Sequence, residues 1–179
     1  MSLLVVTGPP GAGKSTVARL LADGFDRSAL VEGDAFFGFL ARGAIDPWLP
    51  EADAQNEIVA RAAASATGYL SAGGYATVYD GVVGPWALPA FLAAAGIESL
   101  SYVVLLPPVE LCVERVLTRR NHGFGDEAAS RSMHRQFGEA AIPARHVLSD
   151  PPESATAVAD VVSSALARGA LEYSPRRAG

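Results

Sequence analysis

The chain has 179 residues, half of them apolar and 18% charged, with a formal net charge of −5. These values fit one globular domain and exclude a disordered chain, and the acidic balance argues against nonspecific nucleic-acid binding, which needs a basic surface. The lone cysteine, Cys112, excludes an internal disulfide, and no apolar run reaches the roughly 18 residues of a membrane span.

In chain order, residues 3–7 form an apolar run that ends at a glycine, the pattern of a buried parallel strand. Residues 15–23 carry Val17, Leu20 and Leu21 at helical spacing. Residues 29–31 predict a second strand closing on "EGD", and 36–40 an aromatic helical turn. "RGAIDPWLP" reads as a loop. Residues 51–70 predict a helix with Ala54, Ile58, Ala62, Ala66 and Tyr69 along its buried stripe, stopped by Gly73 and Gly74. A third strand over 75–79 ends at Asp80, and a helix over 86–95 ends at Gly96. The fourth strand, 100–106, is the most apolar run. A helix over 109–120, the loop "NHGFGD" and a charged helix over 127–137 follow. A short fifth strand over 146–148, a helix over 155–167 and a tail frayed from residue 173 complete the chain. With no leader before the first strand, the protein is expected to be soluble and cytoplasmic. Residues 1–179 read as one domain, and nothing in the sequence speaks to oligomeric state.

Alternation of strand and helix implies an α/β domain with a parallel sheet, whose ligands sit at the carboxyl ends of the strands. Those ends carry Gly8, Asp34, Asp80 and the Pro107–Pro108 turn. "GPPGAGKS" fits the G-x-x-x-x-G-K-[ST] phosphate loop at Gly8, Gly13, Lys14 and Ser15, between an apolar strand and an amphipathic helix. Glycines let backbone N–H groups approach and surround an anion, so Gly8, Gly11, Ala12 and Gly13 are candidate nucleotide contacts. The helix start adds its positive end. Lys14 is the only lysine in the chain, every other formal cation being an arginine. A compact ammonium fits inside a closed loop where a planar guanidinium does not. Ser15 is a candidate Mg²⁺ ligand and Thr16 a candidate phosphate contact. With no second lysine the guanine-reading N-K-x-D motif is impossible, so a GTPase is not expected.

Asp34 and Asp80 each follow a strand that should end at the phosphate site; a carboxylate there can hold Mg²⁺ or take a proton from an attacking hydroxyl. Either can equally be a turn aspartate. Arg115 and Arg119 share a helix face, as do Arg131 and Arg135 across the short glycine-bearing loop. They read as a solvated basic face or as a lid, about residues 120–137, whose guanidinium groups stabilise a transferred phosphoryl group. Phe36, Phe37, Phe39 and Trp48 are core residues or the walls of an acceptor pocket. The three histidines lack zinc spacing.

"TGPPGAGKST", "VEGD" and "VERVLTRRNHG" resemble the small P-loop kinases of the adenylate-kinase and gluconate-kinase type, and the chloramphenicol phosphotransferase-like branch, over about residues 3–168. The resemblance implies a three-layer P-loop NTPase fold with a five-stranded parallel sheet in the order 2-3-1-4-5 and a short helical lid. It implies that Arg115 stacks on adenine beside the "SDPP" loop, that Arg119 contacts phosphates, and that Asp34 is the general base. Where adenylate kinases carry a monophosphate-binding arginine after the third strand, this chain has "DGVVGPWALP". The expected activity is transfer of the ATP γ-phosphate, with Mg²⁺, to a hydroxyl of a small molecule such as a sugar acid or a hydroxylated antibiotic. Lys14, Asp34, Arg119 and Arg131 would be catalytic, and Ser15 and Asp80 would hold the metal. The rival readings are an ATP-binding regulatory module with weak ATPase activity and a nucleoside or nucleotide kinase. No nucleic-acid or membrane partner is expected.

Overall fold

In the computed structural model, which describes residues 3–118 and 126–175, strand and helix alternate as the hydrophobic pattern dictates. β1 (Leu3–Thr7) is apolar except at its last residue and buried throughout, as a strand with both faces covered must be. α1 (Lys14–Asp23) returns the chain to β2 (Ser28–Glu32). A 3₁₀ helix at Gly33–Phe39 and a short one at Pro50–Ala52 lead into α2 (Asp53–Ala72). β3 (Ala76–Asp80), α3 (Leu88–Ala95), β4 (Leu100–Leu105) and α4 (Val109–Thr118) follow. α5 (Glu127–Glu139), β5 (Val147–Leu148), α6 (Ala155–Ala167) and β6 (Glu172–Tyr173) complete the described chain.

The parallel strands run in the order β2-β3-β1-β4-β5, as the resemblance implied. β1 is central, with Val5 opposite Tyr79 on one side and Tyr102 on the other. Side chains alternate across it. Leu3 and Val5 join a cluster with Ala63 and Ala64 of α2, Leu92 of α3 and Phe137 of α5. Leu4 and Val6 join Val17 and Leu21 of α1, Cys112 of α4 and Val158 of α6. Helices therefore cover both faces in three layers, and each fully buried Leu or Val contributes about 1.5–3 kcal/mol. Cys112 is one such core residue, its thiol directed to the Pro107 carbonyl at 3.8 Å.

Three features depart from the sequence expectations. The buried stripe of α2 is Val59, Ala63, Ala64, Thr67 and Gly68, whereas Ile58 and Tyr69 are 67% and 83% exposed. Small residues win because α2 approaches α3 at backbone distance: a Cβ on Gly68 would lie 2.0 Å from the Ala95 carbonyl oxygen. The expected frayed tail begins instead with a strand. β6 pairs antiparallel with β4, Tyr173 opposite Leu100, and the Tyr173 ring packs 5.9 Å from that of Tyr102. The described part of the expected lid, α5, is docked: Phe137 is buried against Trp86 at a ring separation of 5.4 Å, and His134 donates to the Pro107 carbonyl at 2.8 Å. No helix among the described residues is long and apolar enough to cross a membrane.

Candidate active site

The loop between β1 and α1 is shaped by close backbone contacts. Gly8 lies against the last residue of β4, and Gly11 against α4: a Cβ on either would come within 2.1 Å of the carbonyl oxygen of Leu105 or of Cys112 respectively. Gly11 and Gly13 have φ of 80° and 92°, values that a side chain disfavours. Gly13 caps α1 without any side-chain hydrogen bond, so no cap side chain covers the first-turn N–H groups, the positive end that binds anions. Lys14 donates to the Pro9 carbonyl across the loop at 3.1 Å. A loop of this shape fits a chain of phosphates.

Beside it, the Ser15 hydroxyl lies close enough to the Asp80 carboxylate to draw its pKa down. Parallel pairing sets Asp80 between Val6 of β1 and Glu32 of β2. Asp80 is 7% exposed. Burial pushes its carboxyl above the usual range; the Ser15 hydrogen bond and the Lys14 ammonium oppose this, while Asp34 and Glu32 add to it. Asp34 itself is exposed, in the first turn of the 3₁₀ helix after β2. Glu32 is paired with Arg19 at 2.6 Å. Among the described residues no group of three or more His, Cys, Asp or Glu could form a metal cage. A hydroxyl and one carboxylate beside a phosphate loop nevertheless suit Mg²⁺, which takes few protein ligands and completes its shell with phosphate and water.

On the far side of the loop, a cavity of about 290 Å³ is lined by Gly13, Thr16, Arg115, Pro151 and Pro152 among others. Arg115 donates to the Gly11 carbonyl at 3.4 Å, tying α4 to the loop. Arg115 and the prolines of the "SDPP" loop thus line one cavity. Arg119 lies outside the described residues. Arg131 is not directed at the loop: it donates to Glu127 at 2.9 Å and to Glu110 of α4 at 3.4 Å, so carboxylates already engage the guanidinium expected to act in catalysis. The aromatic group after β2 divides: Phe36 packs against the core, and Phe39 meets it edge-on at 5.5 Å but is itself exposed.

Sequence reasoning missed the supports of this site. Thr7, fully buried at the end of β1, accepts from the Val83 N–H at 2.8 Å, and Tyr102 donates to the Val83 carbonyl at 2.8 Å. These bonds hold the turn after Asp80 against β1 and β4. A threonine closing an apolar strand was the one visible signal. Tyr79, next to Asp80, was missed too.

A family model described as an AAA domain matches residues 3–143. Among solved structures, the tunicamycin resistance protein of Deinococcus radiodurans aligns with a TM-score of 0.68 at 16% identity, over 92% of this chain and 94% of that one. The APS kinase of Mycobacterium tuberculosis, in complex with AMPPNP and APS, aligns with a TM-score of 0.65 at 22% identity, over 93% and 97%. A gluconokinase from Sinorhizobium meliloti 1021 aligns with a TM-score of 0.64 at 19% identity, over 94% and 93%. The shared architecture is the three-layer P-loop fold. No curated protein matches the chain by sequence.

Proposed function

Because this chain belongs to the AAA domain family, the match over residues 3–143 taking in the phosphate loop and both strand-end aspartates, we propose that it is an ATP- and Mg²⁺-dependent phosphotransferase acting on a hydroxyl of a small molecule. The observation that carries this reading is the meeting of Lys14, Ser15, Asp80 and Asp34 at adjacent strand ends. Two of the structural neighbours named above are kinases by name, which supports the choice of kinase over switch protein.

The loop N–H groups of Gly8 to Gly13, with Lys14 and Thr16, would hold the β- and γ-phosphates; Ser15 and Asp80 would hold Mg²⁺, and Arg115 would line the base side. Bound ATP and its metal supply an electrophilic γ-phosphoryl group. Asp34, exposed and within electrostatic reach of Asp80, would take the proton of the acceptor hydroxyl, a step worth about 10²–10⁴ in rate. Lys14 and Arg119 would stabilise charge on the transferred group. Arg131 would reach it only by leaving both of its carboxylates, so its role is read as joining α5 to α4.

The test is a phosphate-transfer screen with ATP and Mg²⁺ against sugars, sugar acids, nucleosides and hydroxylated antibiotics. Transfer to one class, abolished by Lys14→Ala, is the expected result. An ATPase rate that no acceptor changes would favour a regulatory module instead, and absence of Mg-ATP binding in calorimetry would end the reading.

A further inference from the structure

One polar group on the α2 and α3 side of the sheet, the Tyr79 hydroxyl, lies beside the two strand-end aspartates without binding phosphate or metal. Tyr79 precedes Asp80 on β3 and is 4% exposed. Its ring belongs to the core, meeting Phe91 edge-on at 4.9 Å. Its oxygen goes elsewhere. A Cβ on Gly33 would lie 2.3 Å from the Tyr79 Oη, and one on Gly81 would lie 2.9 Å from it. Neither glycine has a positive φ, so the backbone there does not demand glycine; room for the phenol does. Gly33 precedes Asp34 and Gly81 follows Asp80, so the hydroxyl emerges between the two turns that carry the carboxylates. Among the described residues it has no hydrogen-bond partner. A phenylalanine would fill the core as well. The added oxygen is not among the fully buried unpartnered atoms, so it opens toward the site instead of being sealed in the core. A phenol is protonated at neutral pH, so its O–H can donate.

We propose that Tyr79 is a specificity-determining residue of the acceptor subsite, its O–H donating to an uncharged oxygen of the acceptor adjacent to the hydroxyl that Asp34 deprotonates. The proposal rests on the kinase reading and extends it to the acceptor's chemistry. Asp34 can only accept hydrogen bonds when ionised, so an acceptor must donate to it and present a lone pair to Tyr79. Arg19, the cation beside Glu32, is already paired at 2.6 Å. An anionic acceptor would face the exposed Asp34 carboxylate, whereas a neutral polyol can donate to Asp34 and accept from Tyr79. The substrate class is therefore an uncharged polyhydroxy alcohol.

The experiment compares D-glucose, myo-inositol and uridine with gluconate and shikimate as acceptors, for the wild type and Tyr79→Phe. The wild type is expected to favour a neutral acceptor by at least about tenfold in kcat/KM, and Tyr79→Phe to lower that value by about 10–100-fold, mostly through KM, as loss of a hydrogen bond in a desolvated site does. Mg-ATP affinity and Tm should stay within about twofold and about 2 °C of the wild type. A wild-type preference for gluconate or shikimate, transfer to none of the five acceptors while Mg-ATP still binds, or an unchanged KM in Tyr79→Phe would overturn the proposal. Failure of the wild type to bind Mg-ATP would overturn the kinase reading itself.

Discussion

An amide at position 34 keeps the shape of a carboxylate and removes its basicity. Asp34→Asn is therefore expected to lower kcat by about 10²–10⁴ and leave Mg-ATP affinity within about twofold, measured by steady-state transfer and calorimetry. Asp34 is exposed, so its loss should not disturb folding. Asp80 is the opposite case. Its folded pKa is raised, chiefly by burial, so its contribution to stability is complete below the ordinary carboxylate pKa of about 3.9 and is lost as pH rises through the raised value. At neutral pH the raised pKa is therefore a net cost to folding. Asp80→Asn should raise Tm at pH 7, lose that advantage toward pH 4, and abolish Mg²⁺-dependent transfer. Thermal melts across pH check the first two outcomes and an activity assay the third. Stability given up at a working residue is the usual signature of a functional site. The residues of the loop and both aspartates were legible because a local motif and strand ends announce them. Tyr79 and Thr7 were not, because a hydroxyl in an apolar strand gains meaning only from the chain segments folded around it.

The misread face of α2 follows from a limit of hydrophobic patterning at the scale of one element. The helix is rich in alanine, so several stripes are comparably apolar, and the choice among them falls to steric fit with α3. Gly68 and Ala63 permit contact at backbone distance where Ile58 and Tyr69 would hold the helices apart. Gly68→Val should therefore cost about 1–3 kcal/mol and lower Tm by about 2–4 °C for each kcal/mol. Gly38→Ala, whose methyl would meet no atom within 4 Å, should leave Tm within about 2 °C. Differential scanning calorimetry separates them, and equal effects would mean that α2 does not sit where Ala95 touches it. Arg131 teaches the same lesson. Spacing put Arg131 and Arg135 on one helix face, but spacing names no partner, and Glu110 on α4 supplied one.

At the scale of the molecule, the two-faced core was legible because a strand that is apolar along its length requires helices on both sides, and the strand order was legible through the resemblance of the motifs. At the far edge β5 was legible too, expected over 146–148 and found at Val147–Leu148; β6 was not, because it is two residues long and exists only through pairing with β4. His146 anchors that edge. It is fully buried between the rings of Tyr102 and Tyr173, donates from Nδ1 to the Tyr102 carbonyl at 3.0 Å, and leaves Nε2 unpaired. Protonation would place a charge where no acceptor waits. Burial lowers the imidazole pKa and Arg145 lowers it further, against the opposing pull of the Tyr102 hydrogen bond. A folded pKa below the unfolded value of about 6.5 gives stability that is present above that pH and lost as pH falls through the folded value. The wild type should thus lose Tm on acidification below about pH 6.5 more steeply than His146→Gln, which retains a donor for the carbonyl and does not titrate. The Asp80 effect runs the other way with pH, so measuring each variant against the wild type at every pH isolates its own contribution. Parallel melting curves for wild type and His146→Gln would show that the β5–β6 edge opens to water before the imidazole takes up its proton.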